Sequence, residues 1–350
     1  MSERQRMATA DVTIMGAGVI GLSVALACTR LGARVQVIDP SGPGAGASGG
    51  LVGALAPHVP ENWNEKKAFQ FESLCMAEAF WTLVKDLSGQ DPGYARLGRL
   101  QPLADDNAIT LARSRQNGAM TLWQGRARWD IVPAHGDWAP PSPSGMMIHD
   151  TLTARLHPQK TTRALAEAVR ALGGTISKTG SKEGKLVWAT GWQGLEELSR
   201  AHNRSIGTGV KGQAALLELD AASAPQLFID GIHIVPHLDG TVAVGSTSER
   251  YFTSPHGNDD QLETLIEKAR MVFPPLRDAP VIARWAGVRP RSRSRAPMLG
   301  QHPFEKDAFV ANGGFKIGFG MAPKIGEVMA QLIVENHDTI PNGFRVTDNL

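Results

Sequence analysis

The 350-residue chain predicts an α/β fold, a Rossmann-like nucleotide-binding domain interleaved with an α+β domain built on an antiparallel sheet. Three observations predict it. A strand–glycine–helix–strand unit opens the chain. Similar strand-to-glycine elements return in the middle and near the C-terminus. Strand-like runs broken by Asp-Gly turns fill the gaps between them.

The opening unit runs in order. Asp11-Val12-Thr13-Ile14 reads as a short buried strand, and Gly16-Ala17-Gly18-Val19-Ile20-Gly21 as a glycine turn. Leu22 to Leu31 reads as a helix, Gly32-Ala33-Arg34 as a turn, and Val35-Gln36-Val37-Ile38 as a second strand ending at Asp39. That is the context G-x-G-x-x-G needs to hold a dinucleotide. Gly16 makes the tight turn, Gly18 lets backbone approach a pyrophosphate, and Gly21 lets helix and strand pack closely. The helix N-terminus offers N–H groups and a positive dipole end, and Asp39 can accept from an adenosine ribose.

A glycine-rich loop, Ser41 to Gly50, follows directly. Ala68 to Leu87 has helical spacing, Arg99 to Leu103 reads as a strand, and the Trp- and Pro-rich stretch Trp123 to Ser144 as irregular surface. His157 to Leu172 is an amphipathic helix, followed by a strand and then by Lys185 to Gly191. Beyond Gly212 come strand-like runs at Gln213–Leu219, Gln226–Pro236 and Thr241–Ser246, then a helix over Asp259–Phe273. Ala308–Asn312 is a short strand that enters Gly313-Gly314 and a helix from about Gly320 to Val334.

Composition excludes some classes. The net charge of +2 calls for neither nucleic acid nor membrane. The two cysteines, Cys28 and Cys75, match no metal spacing and no disulfide framework. Met1 to Ala10 lacks the apolar core of a secretory signal, so a cytoplasmic enzyme is expected. The apolar run Val12 to Cys28 is broken by glycines and does not read as a membrane span.

Five blocks resemble the FAD-dependent D-amino acid oxidase superfamily, and within it glycine oxidase most. They are Gly16 to Asp39, Ala47 to Pro57, Trp188-Ala189-Thr190-Gly191-Trp192, Trp285-Ala286-Gly287-Val288-Arg289-Pro290, and Gly313 to Pro323. An NAD enzyme has little use for a second glycine loop after Asp39 or a third glycine-rich helix start. FAD has a pyrophosphate, a ribityl chain and a tricyclic ring to hold. The resemblance implies noncovalent FAD, since no cysteine stands in Ser294 to Gly300. The implied cofactor residues are Gly16, Gly18, Val19, Ile20, Gly21, Asp39, Pro40, Ala47, Ser48, Gly49, Gly50, Leu51, Val52, Thr190, Gly191, Gly314, Lys316, Ile317, Gly318 and Phe319. A helix start near Gly318 would favour the anionic reduced ring. The implied division is an FAD-binding domain at 8–62, 150–210 and 285–350, and a substrate domain at 63–149 and 211–284.

Arg289 falls on the family's carboxylate-binding arginine, and a planar guanidinium suits that bidentate task. Lys316 stands where glycine oxidases carry a second arginine, keeping charge but losing the fork. His233 stands where they carry a substrate-facing tyrosine, and a histidine can donate a hydrogen bond or titrate near neutral pH. These departures favour another amino acid or a secondary amine over glycine. His58 follows the second glycine loop, and a structural loop role is the favoured reading.

The resemblance implies oxidation of an amine C–N bond to an imine by hydride transfer to flavin N5. That step needs positioning more than a general base. Oxygen or an electron carrier would take the electrons. Two other readings remain: a flavin-dependent tRNA wobble-uridine-modifying enzyme, and a flavin-binding protein with a degraded site. Arg289, Arg291, Arg293 and Arg295 alternate, and on an extended segment they would share one side, as an anionic partner requires.

Overall fold

The chain winds two large sheets, seen in a computed structural model that describes residues 10–350. The expected lack of a secretory signal lies mostly outside the described residues. In chain order the elements are β1 (Val12–Met15), α1 (Val19–Arg30), β2 (Val35–Ile38), β3 (Ala54–Leu55), α2 (Glu65–Ser88), β4 (Arg99–Pro102), α3 (Asp106–Leu122), β5 (Trp129–Pro133), β6 (Met146–Asp150) and β7 (Ala154–Arg155). There follow α4 (Pro158–Ala171), β8 (Thr175–Ser177), β9 (Lys185–Trp188), α5 (Gly191–Ala201), β10 (Gly207–Glu218), β11 (Gln226–Ile229), β12 (Ile232–Pro236) and β13 (Thr241–Gly245). The last are α6 (Asp260–Val272), β14 (Val281–Ser292), β15 (Met298–Gln301), β16 (Ala308–Asn312) and α7 (Gly318–Glu335).

The six-stranded sheet has the order β15-β16-β9-β1-β2-β8 and is parallel except at its β15 edge. β1 is central, so Ile14 and Val37 are fully buried. Helices cover this sheet, and α1 packs against α7 and α4. Leu22, Val24, Ala25, Leu26 and Cys28 are all buried, because α1 is enclosed all round.

The eight-stranded sheet has the order β14-β10-β13-β12-β11-β4-β6-β5, antiparallel except between β11 and β4. β10 and β14 are its longest strands and pair from Gly207↔Ser292 to Leu217↔Val281. The expected boundaries at 210 and 285 both fall inside these strands, since strand pairing continues past the motifs that set them.

The structure corrects three expectations. Trp123 to Ser144 is not simply irregular surface: Trp123 and Trp129 are fully buried, their rings 6.1 Å apart, and Trp129 begins β5. Gln226 to Pro236 is two strands joined at Asp230-Gly231, where both residues adopt positive φ. The alternating arginines do not share one extended face. β14 ends at Ser292, Arg295 turns to a φ of +60°, and Arg291 lies 5.8 Å from the Phe315 ring.

Candidate active site

Backbone geometry builds a cradle where β1 ends. Gly16 has a φ of +111°, and a Cβ there would lie 2.4 Å from the Ala189 carbonyl oxygen. Only glycine meets both demands. Asp39 ties the turn together. Its Oδ2 accepts from the Ala17 N–H at 2.8 Å, and its Oδ1 from the N–H groups of Ser41 and Gly42 at 2.9 and 3.2 Å. Oδ1 thus has both lone pairs engaged, while Oδ2 keeps one free to accept from a ribose hydroxyl.

α1 starts without an acidic residue or a side-chain cap from Gly18. Ser48 reaches across from the glycine loop instead, and its Oγ accepts from the Val19 N–H at 2.9 Å. α7 also starts uncapped, at Ile317, with no acid in its first turn. Both helix starts leave N–H groups and a positive dipole end unspent.

A cavity of about 560 Å³ lies against both starts. That lies within the range of about 300–1,000 Å³ usual for ligand clefts. It is lined by Gly16, Gly18, Val19, Ile20, Gly21, Asp39, Pro40, Ala47, Ser48, Gly50, Leu51, Val52, Thr190, Gly191, Arg289, Gly314, Lys316, Gly318 and Phe319. Gly49, Ile317 and His233 are not among its lining residues. Gly49 packs within its loop, where a Cβ would lie 2.2 Å from the Gly44 oxygen, and Ile317 serves as the α7 cap. Gln193, Glu197 and His256 also line the cavity, and no sequence pattern singled them out.

The floor beyond is the paired β10 and β14. Val210 faces Arg289, Gly212 faces Gly287, and Ala214 faces Trp285. Opposed residues of an antiparallel pair share a face, so two glycines sit between an arginine and a tryptophan. The long side chains fold over the gap. A Cβ on Gly212 would lie 1.9 Å from Arg289 Nη1, and one on Gly287 would lie 2.3 Å from the Trp285 ring.

Arg289 Nη2 donates to Ser246 Oγ at 2.7 Å and Nη1 to the Thr247 carbonyl at 3.3 Å. A guanidinium has five N–H donors, so most are unspent. Among the described residues, no carboxylate lies within ion-pair distance of it. Burial pushes its pKa down to about 10, opposed by the charge of Glu249. Lys316 is brought alongside because the Phe315 N–H bonds the Pro290 carbonyl at 2.9 Å. Burial first, then the Arg289 charge, lowers the Lys316 pKa.

His233 sits in β12 with its ring 4.7 Å from Phe228, and its buried Nδ1 has no partner. Burial, then Arg99, Lys316 and Arg289, push its pKa down to about 3. The expectation that it titrates near neutral pH is therefore corrected: the ring is neutral there. His58 is held by Gln70, whose Oε1 accepts its backbone N–H at 2.7 Å and also meets its Nδ1. That is the structural role expected of it.

Two helix starts with unspent N–H groups along a glycine-walled cleft, ending at two cations with no acid in ion-pair distance of Arg289 among the described residues, define a flavin-type nucleotide site beside a cationic pocket. The chain belongs to the FAD dependent oxidoreductase (DAO) family, whose profile matches residues 11–332. It is 27% identical over 361 residues to the bifunctional protein ThiO/ThiG of Trichormus variabilis, covering 93% of this chain and 53% of that protein. The chain thus spans about half the length of that bifunctional relative. It is 26% identical to the glycine oxidase of Bacillus licheniformis, covering 93% of each. Among solved structures, iminodiacetate oxidase from Chelativorans sp. BNC1 superposes with a TM-score of 0.81 at 20% identity, over 95% of this chain and 98% of that one.

Two outcomes follow for this site. Gly212→Ala should displace the flexible end of Arg289 rather than unfold the sheet. Carboxylate binding should weaken by about tenfold or more with FAD content unchanged, read by titrating benzoate against flavin absorbance. His233 is neutral when folded and protonates near pH 6.5 when unfolded, so the unfolded state binds more protons between about pH 6.5 and 3. Its contribution is full above pH 6.5 and is lost as pH falls, by up to about 1.4 kcal/mol per pH unit. His233→Asn should flatten that acid slope in urea unfolding series, and an unchanged slope would contradict the buried neutral ring.

Proposed function

We propose that this protein oxidises the C–N bond of an amino acid or related acidic amine to an imine, which water then hydrolyses. The observation that supports this best is Arg289: a buried cation at the cavity wall, with unspent donors and no acid of its own. Bound FAD supplies the two-electron acceptor. The glycine loop and the α1 start would hold its pyrophosphate, and the N–H groups at the α7 start would favour negative charge on the reduced ring. Neither cysteine lines the cavity, in keeping with noncovalent binding.

Arg289 then fixes the substrate by its carboxylate, which sets the distance and angle of the carbon bearing nitrogen. Lys316 adds a second positive charge without a fork. Neutral His233 raises no further charge against an approaching ammonium group. The names of two similar proteins, glycine oxidase and iminodiacetate oxidase, both denote amines that carry carboxylates. No observation favours a tRNA substrate, because the arginines after Pro290 do not form one basic face. Oxygen or a carrier removes the electrons afterwards.

The test is anaerobic bleaching of the flavin by glycine, sarcosine, iminodiacetate, proline and a set of D-amino acids. At least one should reduce the flavin within seconds to minutes. Arg289→Ala should slow that reduction by about a hundredfold or more, since hydrogen bonds to charged groups are worth about 1.5–3 kcal/mol each. Bleaching by none of them, with bleaching by tRNA instead, would overturn the reading.

A further inference from the structure

Behind Arg289 the sheet loses step. Ala214 pairs with Gly245 and Lys211 with Glu249. Three steps along β10 therefore face four along the chain leaving β13, and one extra residue is bulged out between Gly245 and Glu249. That bulge supplies both partners of Arg289, the Ser246 hydroxyl and the Thr247 carbonyl. The Thr247 hydroxyl turns the other way. Its Oγ1 accepts from the Gln213 N–H at 2.8 Å and donates to Glu249 Oε1.

Glu249 is only 7% exposed. Gln213 Nε2 donates to its Oε1 at 3.0 Å, and Lys211 Nζ stands 3.4 Å from its Oε2. Lys211 and Gln213 flank Gly212 in β10, so they lie on the sheet face opposite Arg289. Both also reach Asp259, at 3.2 and 2.6 Å, where the Asp259 side chain caps α6. None of Lys211, Gln213, Thr247, Glu249 and Asp259 lines the cavity. A buried lysine–glutamate pair is weak evidence of stabilisation, because desolvation offsets its attraction. The network needs another reason.

We propose that Glu249, acting through Thr247, is a positioning residue: from the back of the sheet it clamps the 245–249 bulge, whose front-facing oxygens aim Arg289 at a substrate carboxylate. The inference rests on the reading of Arg289 as the carboxylate anchor. Thr247 transmits the restraint, since its hydroxyl is fixed behind the sheet and its carbonyl in front. The Glu249 charge also favours the protonated guanidinium across the sheet. Lys211 and Gln213 keep Glu249 from turning to pair with Arg289 directly, which would spend the donors the substrate needs.

The test uses the FAD-loaded protein with benzoate as probe, followed by flavin absorbance, alongside KM and kcat for an amine that bleaches the flavin. Thr247→Val keeps the shape and the carbonyl but loses the hydroxyl. It should weaken benzoate by about tenfold, raise KM more than it lowers kcat, and leave FAD content unchanged. Thr247→Ser should restore affinity to within about twofold, because the hydroxyl alone is at issue. Glu249→Gln should weaken benzoate as Thr247→Val does, by setting an amide donor against Lys211 or Gln213. If Glu249→Gln fails to bind FAD, the Val and Ser pair at Thr247 still decides. Benzoate binding unchanged in Thr247→Val, while lost in Arg289→Ala, would overturn the clamp alone. Binding retained in Arg289→Ala would overturn the anchor reading, and the clamp with it.

Discussion

A guanidinium taken out of water with no carboxylate beside it among the described residues is the constraint around which the active end of this protein is arranged. Burying an unpaired charge is costly unless hydrogen bonds or a ligand compensate. Arg289 is compensated in part, by one hydroxyl and one carbonyl. Its other donors are unspent, which is what the proposed carboxylate would engage. Gly212 and Gly287 exist opposite one another because any side chain at either would fill the space that Arg289 and Trp285 occupy. Lys316 reaches the same place because the turn before α7 is pinned to β14 at Pro290.

The two sheets divide the work. The parallel sheet offers the C-terminal end of β1 and two helix starts with unspent N–H groups, where backbone donors and dipoles suit phosphates and an electron-rich ring. The antiparallel sheet offers a rigid platform for side chains. The cavity joins them, so a carboxylate held on β14 would place its amine against whatever lies along the glycine loop. Strand-borne residues hold such geometry better than loop-borne ones.

Much of this was legible in the sequence, for local reasons. Gly16, Gly18, Gly21 and Asp39 announce the cradle because the turn, the close approach and the helix start all need particular residues at fixed spacing. Arg289 and Lys316 were legible only through resemblance, since a lone arginine before proline carries no signal of burial. α3 left little trace because only Ala112 and Ala119 of it are buried, too few for periodicity. Trp123 and Trp129 misled because a Trp- and Pro-rich stretch looks irregular while its aromatic rings fill the core. The neutral state of His233 depends first on its burial and then on Arg99, Lys316 and Arg289, all set by contacts distant in sequence. The bulge at 245–249 depends on a register mismatch that sequence does not display. His256 reaches the cavity from a loop of small polar residues that offered no pattern at all.

The central claim is that Arg289 reads the carboxylate of the substrate and thereby positions the amine. It is tested most directly by crossing a protein change with a substrate change. Anaerobic rates of flavin reduction would be compared for a reactive amino acid and for the same amine without its carboxylate, in the native protein and in Arg289→Ala. The native protein should favour the acid by about a thousandfold, because a site built for a charged group rejects its absence strongly. In Arg289→Ala the two rates should converge. An undiminished preference for the acid in that variant would contradict the assignment.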